Sequence, residues 1–217
     1  MSDLDVRMFT VGPVQENTYI VRRKDAANAL IVDPGDEADR LLAALQELGI
    51  DTVDAILITH THFDHIGAVA PVAKATGAPV YVPELEKEVL ANIMDYVPWP
   101  GFGPFESYDA EHTVAGGDAL KIGEVTLDVI FTPGHSPGHV TYAARDDEAL
   151  FSGDVLFQGS VGRVDLPGGD WPTLLSSIES LLSAYSPETT VYPGHMGITT
   201  LGRERATNPF LRELAER

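Results

Sequence analysis

Four apolar segments of this chain end in the same way. "AILITHTHFDH" runs into His60, His62, Asp64 and His65, "VIFTPGH" stops at His135, "ALFSGD" at Asp154 and "TVYPGH" at His195. In the last three a glycine directly precedes the final residue. Short apolar runs bounded by turn residues read as strands covered on both faces. The ends of such strands can converge on one edge of a layered sheet, where sites are built. The chain must therefore form sheets covered by helices, an α/β or α+β layered fold.

The first of these ends is the densest. Three of the seven histidines and one aspartate fall within the six residues from His60 to His65. Alternation sends His60 and His62 the same way while the chain is extended, and the turn into a helix brings Asp64 and His65 round from another side. Imidazole and carboxylate are ligands for a borderline divalent ion such as zinc, and burying four such groups without a cation is costly. With His135, Asp154 and His195 there are seven candidate ligands, enough for two metal ions and a bridging group. There is no cysteine, so neither thiolate ligands nor disulfides are available. His139 opens the next strand and reads as a structural histidine or a support behind the ligands. His112 reads as solvated.

The rest of the chain fits this frame. "DVRMFTVG" and "NTYIVRRK" form a strand pair across a Gly-Pro turn, and "NALIVDPG" is a buried strand. Residues 36–48, 84–94 and 171–184 carry helical spacing, the last with Pro172 in its first turn. Short helices are expected near 199–206 and 208–216. Residues 95–112, rich in Pro, Gly and aromatics, read as a long loop. Its Tyr96, Trp99, Phe102 and Phe105 are candidates for a pocket wall, with core packing as the alternative.

Charge narrows the partners. The 217 residues carry 33 acidic and 14 basic side chains, a net charge of −19, and no basic stripe. Such a field repels nucleic acid and anionic membranes. No apolar run approaches the ~20 residues of a membrane span. "MSDLDVRMFT" lacks the pattern of a signal peptide, so a cytoplasmic location is expected.

The order HxHxDH, His135, Asp154, His195 resembles the metallo-β-lactamase superfamily, over most of the chain. "FTPGHSPGH", "SGDVLFQGSVGRVDLPGG" and the closing "NPFLRE" are most similar to its glyoxalase II-like branch. The resemblance implies an α+β fold, a four-layer αββα sandwich with a dinuclear site at one edge. It implies His60, His62 and His135 on a first metal, Asp64, His65 and His195 on a second, and Asp154 bridging. The ions would be zinc, with iron or manganese as alternatives. Asp33 in "IVDPG" would support the site from behind. The implied chemistry is thioester hydrolysis of the hydroxyacylglutathione hydrolase type by a metal-bridging hydroxide, with Asp64 taking the residual proton. Two alternatives remain: a lactonase, and a persulfide dioxygenase holding one Fe(II) on His60, His135 and Asp154. Larger glyoxalase II enzymes add a C-terminal helical substrate domain. This chain ends about twenty residues after His195, so residues 1–217 are expected to form a single domain of the short type. Arg163 could meet a substrate carboxylate or pair with Asp165.

Overall fold

The structure is a computed structural model that describes residues 3–97 and 99–211. Two six-stranded sheets carry the chain. The first is built in sequence order from β1 (Leu4–Val11), β2 (Glu16–Arg23), β3 (Asn28–Val32), β4 (Thr52–Leu57), β5 (Val80–Pro83) and β6 (His112–Val114). Strands β1 to β3 pair antiparallel, and β3 to β6 pair parallel. The second sheet takes β7 (Ala119–Ile122), β8 (Val125–Phe131), β9 (Val140–Ala144), β10 (Ala149–Gly153), β13 (Thr190–Pro193) and β14 (Thr199–Thr200), in the order β14-β13-β10-β9-β8-β7. Between β10 and β13 lies a small hairpin of β11 (Leu156–Phe157) and β12 (Ser160–Val161).

Three apolar layers hold four structural layers together. Along the first sheet successive side chains alternate in destination. Ile20, Ile31, Ile56 and Ile58 face outward onto Leu41 and Leu45 of α1 (Ala38–Glu47) and Val69 and Val72 of α3 (Val69–Thr76). Tyr19, Val21, Leu30, Val32 and Leu57 face inward, against Leu127, Val129, Tyr142 and Phe151 of the second sheet. The outer face of that sheet, with Ala143, Leu150 and Val191, packs on Leu174, Ile178 and Leu181 of α6 (Trp171–Ala184). Both faces of the central strands are buried, and that is why the sequence shows unbroken apolar runs there. The fold is the expected α+β sandwich.

Helix α6 begins as its sequence predicts. Asp170 caps it by accepting from the Thr173 amide at 2.9 Å, and Pro172 occupies the first turn. The expected 84–94 helix is instead three short pieces. A 3₁₀ turn at Glu84–Glu86 leads into α4 (Lys87–Ala91), and Asn92, at φ −136°, breaks the chain before α5 (Ile93–Tyr96). Among the described residues the irregular loop therefore covers 97 and 99–111. A further short helix, α2 (Phe63–Ile66), follows the first histidines, and α7 (Leu201–Thr207) follows β14. Pro209–Leu211 make a 3₁₀ turn, and the remainder of the helix expected near 208–216 lies outside the described residues. Among the described residues no helix is long and apolar enough to cross a membrane.

Candidate metal centre

The strand ends do converge. β4 delivers Thr59 to His62 and then α2, which carries Asp64 and His65. β8 leads to His135, β10 to Asp154 and β13 to His195. Two sets of potential ligand atoms each lie within 4.8 Å of one another: His60, His62 and His135, and Asp64, His65 and His195. Asp154 stands between them. Its Oδ2 is 3.3 Å from His135 Nε2 and 3.6 Å from His195 Nε2, and its Oδ1 is 3.3 Å from His65 Nε2. His195 Nε2 also lies 3.3 Å from Asp64 Oδ2.

The far side of each ring fixes which nitrogen faces inward. His135 Nδ1 donates to the Arg163 carbonyl at 2.7 Å, and His195 Nδ1 to the Gln15 carbonyl at 3.1 Å. Asp33 controls two more. It accepts from His65 Nδ1 at 3.0 Å, from the Thr59 amide at 2.7 Å and from the Thr59 hydroxyl at 2.6 Å. The hydroxyl proton is thus spent on Asp33, so Thr59 Oγ1 accepts from His60 Nδ1 at 3.1 Å. The inward Nε2 atoms of His60, His65, His135 and His195 are then lone pairs.

Those lone pairs oppose one another. His60 Nε2 and His135 Nε2 sit 3.2 Å apart with no proton to share, and His62 Nδ1 lies 2.8 Å from the same His135 atom. In the other set, His65 Nε2 and Asp154 Oδ1 are buried without a hydrogen-bond partner although they face each other. A cation between the opposed acceptors of each set resolves both conflicts, so the donor set fits two divalent ions.

Charge tells the same story. Burial pushes His60 well below the ordinary imidazole range and His62 down to about 4, with the neighbouring His135 adding to both. Burial alone would do the same to His65, but the Asp154, Asp33 and Asp64 carboxylates outweigh it and raise that ring well above its usual value. Burial would raise Asp154, yet His195, His65 and His135 hold it well below the carboxylate range. In the neutral ring His65 Nε2 is a lone pair, and the same carboxylates that draw a proton onto it would favour a metal cation there instead.

Two glycines let the backbones come this close. Gly153 has φ +47°, and a Cβ there would meet Thr59 Oγ1 at 2.4 Å and His139 Nε2 at 2.6 Å. A Cβ on Gly194 would lie 2.3 Å from Asp154 Oδ1. His139 is buried behind the ligands. Its Nε2 accepts from the Asp154 amide at 3.0 Å, and its Nδ1 turns to Thr132 Oγ1. His112 is exposed, against the Tyr81 ring.

Above the ligands opens a cleft of about 450 Å³. Tyr96, Trp99 and Arg163 line it. Phe102 does not, which corrects its place in the expected pocket wall. Its ring packs 4.8 Å from Phe63 and borders a separate depression, because the loop turns it inward toward the first sheet's helices. Phe105 also stacks on Phe63. Arg163 pairs with Asp165 at 2.6 Å, with its guanidinium 5.7 Å from the centre of the Trp99 ring.

Three buried acids escaped the reading of the sequence. Glu86 joins the two ligand loops: Oε2 accepts from the Thr61 amide and hydroxyl at 2.7 and 2.9 Å, and Oε1 from Ser136 Oγ and the Gly138 amide at 2.5 and 2.8 Å. Glu16 is fully buried, with Oε1 3.7 Å from His65 Nδ1. Glu204 accepts from the Gly159 amide and from Asn208 Nδ2, at 2.7 and 2.9 Å. On sequence alone these are ordinary surface acids of short helices and a strand end.

Comparison with known proteins agrees with this geometry. Residues 11–195 match the family model of the metallo-beta-lactamase superfamily. The chain is 32% identical over 210 residues to the hydroxyacylglutathione hydrolase GloC of Haemophilus influenzae, covering 96% of this chain and 98% of that one. It superposes on the BLEG-1 B3 metallo-β-lactamase with a TM-score of 0.89 at 40% identity, covering 95% and 99% of the two chains. It also superposes on TTHA1623 in a di-iron-bound form, with a TM-score of 0.78 at 42% identity, covering 95% and 100%. The clusters of candidate ligands are consistent with a dinuclear metal site, and the chain belongs to the metallo-β-lactamase superfamily.

Proposed function

We propose that this protein hydrolyses acyl thioesters by glyoxalase II-like chemistry, with two divalent ions held in the cleft floor. The observation that carries this is the pair of acceptor clusters joined by Asp154 beneath an open, largely apolar cleft. His60, His62 and His135 would hold one ion, Asp64, His65 and His195 the other, and Asp154 both. When bound, the ions would supply a water acidic enough to act near neutral pH and an electrophile for the carbonyl.

The chain's own residues do the rest. Asp33, through Thr59 and directly, orients His60 and His65; the Arg163 and Gln15 carbonyls orient His135 and His195. His139 fixes the Asp154 backbone. The cleft walls hold the acyl and thiol arms and exclude bulk water. Asp64 lines the cleft, which supports it as the carboxylate that would take up the proton of the attacking water. In the net reaction a C–O bond forms at the acyl carbon, the C–S bond breaks, and the thiol leaves with one proton of the water. A thiolate leaves readily, so no separate acid is needed.

The likeness to the hydroxyacylglutathione hydrolase supports the bond type, and the di-iron form of a relative leaves zinc, iron and manganese as candidates for the ion. Elemental analysis of the purified protein, followed by thioester, lactone and β-lactam turnover, tests the proposal. Two ions per chain with thioester turnover is the expected result. One iron per chain with oxygen uptake on a persulfide would replace the hydrolase with a dioxygenase. Turnover confined to lactones or β-lactams would replace the substrate.

A further inference from the structure

The rim of the cleft leaves large apolar side chains in water. Leu85 is 64% exposed, Tyr96 52% and Trp99 39%, and all three line the opening. Phe63 braces Trp99 edge to face, at 6.1 Å between ring centres. Val14, Val89 and Leu166 continue the same wall. Apolar surface gathered around a recess is surface that a ligand covers.

The charged side chains of the lining point the other way. Asp64, Glu86 and Asp154 are acids, and both Glu86 oxygens are already engaged. Among the described residues lining the cleft, Arg163 is the sole lysine or arginine. Its Nε and Nη2 both donate to the Asp165 carboxylate, at 2.6 and 2.7 Å, a two-point pairing at the solvent-exposed rim. Its remaining face covers the Trp99 ring. A ligand carboxylate entering here meets aromatic and aliphatic walls and a guanidinium that has a partner.

We infer that the cleft selects thioesters whose thiol arm is uncharged and apolar, and that the Arg163–Asp165 pair on Trp99 sets this selectivity by withholding the wall's cation from anionic arms. The inference rests on the thioester reading above and narrows it. Asp165 is the specificity residue of the pair, because it keeps the guanidinium engaged, while the Arg163 carbonyl serves His135.

Two thioethers that cannot be hydrolysed separate the possibilities. S-benzyl-N-acetylcysteamine is uncharged, and S-benzylglutathione carries two carboxylates. Calorimetric titration of the purified protein should show the uncharged ligand binding at least tenfold more tightly. In Asp165→Asn the gap should narrow at least fivefold, because the freed guanidinium can meet a carboxylate. Arg163→Gln should leave the gap within twofold. Equal or tighter binding of S-benzylglutathione by the wild type, lost in Arg163→Gln, would overturn the inference and make Arg163 a carboxylate clamp. A parallel assay uses the lactoyl thioesters of the same two parent thiols. If neither is hydrolysed while the thioethers bind in the expected order, the thioesterase reading falls and the selectivity stands. If the glutathione thioester is the better substrate, the selectivity falls and the thioesterase stands.

Discussion

The floor and the rim of the cleft are built by opposite rules. On the floor, every candidate ligand histidine but His62 has its far ring nitrogen fixed by a named acceptor, and His60, His65, His135 and Asp154 are buried. At the rim, Tyr96 ends α5 and Trp99 follows in the irregular loop, both largely in solvent, and Arg163, the sole arginine or lysine among the described lining residues, is held by an ion pair at the surface. The floor is over-determined and specifies chemistry. The rim is lightly held and specifies what reaches it. Members of one superfamily can share such a floor while differing at the rim.

Mutations can break or sharpen that contrast. The largest effect should come from Asp154→Ala, which removes the group between both clusters. Metal content should fall below two per chain and the rate by a hundredfold or more, on the order expected beyond the loss of a supporting contact. Unchanged stoichiometry and rate would remove Asp154 from the site. Next, Asp33→Asn should weaken metal affinity by about 10- to 100-fold, since it disturbs the orientation of two histidines at once; competition with a chromogenic chelator reads this directly. Glu86→Ala strips partners from four buried donors and should cost about 2–4 kcal/mol in urea unfolding. A loss below 1 kcal/mol would show that the two ligand loops hold together without it. Trp99→Ala belongs to the rim. It should raise KM several-fold with metal content intact, and a fall in metal content would blur the division drawn here. The smallest effect is expected of His112→Ala, whose exposed ring only rests on Tyr81; rate and stability should stay within about 0.5 kcal/mol of wild type.

Much of the floor was legible in the sequence because its logic is local. The candidate ligands come shortly after apolar strands, with Asp64 and His65 in the short helix that follows β4, so strand end and chemistry appear together in a few letters, as in "FSGD" or "VYPGH". Asp33 was reached only through the family resemblance, since a lone aspartate before a Pro-Gly turn reads as ordinary turn chemistry. Glu86 was not legible, because its partners, Thr61, Ser136 and Gly138, come from two distant loops and nothing nearby marks it as buried. Glu16 and Glu204 hide in the same way. The sandwich was visible in unbroken apolar runs, but β11, β12 and β14 are two residues each, too short for any period to register. Phe102 was misplaced because composition names the residues of an irregular loop without saying which way each one turns.

The position of Asp154 and His195 within two residues of the last pair between β10 and β13, and of His60 three residues past β4, has a consequence for how the protein matures. A strand that slips one place moves its end by about 3.3 Å and sends the side chains to the opposite face. That displacement is as large as the gaps between the facing atoms of the floor. A chain with β13 misaligned against β10 would carry His195 out of reach, and one with β4 misaligned against β3 would lose His60 and His62 together. Holding two ions on these residues would thus inspect the alignment of both sheets at once. Loading would separate correctly assembled molecules from near misses that are just as compact, and would add its binding energy only to the former.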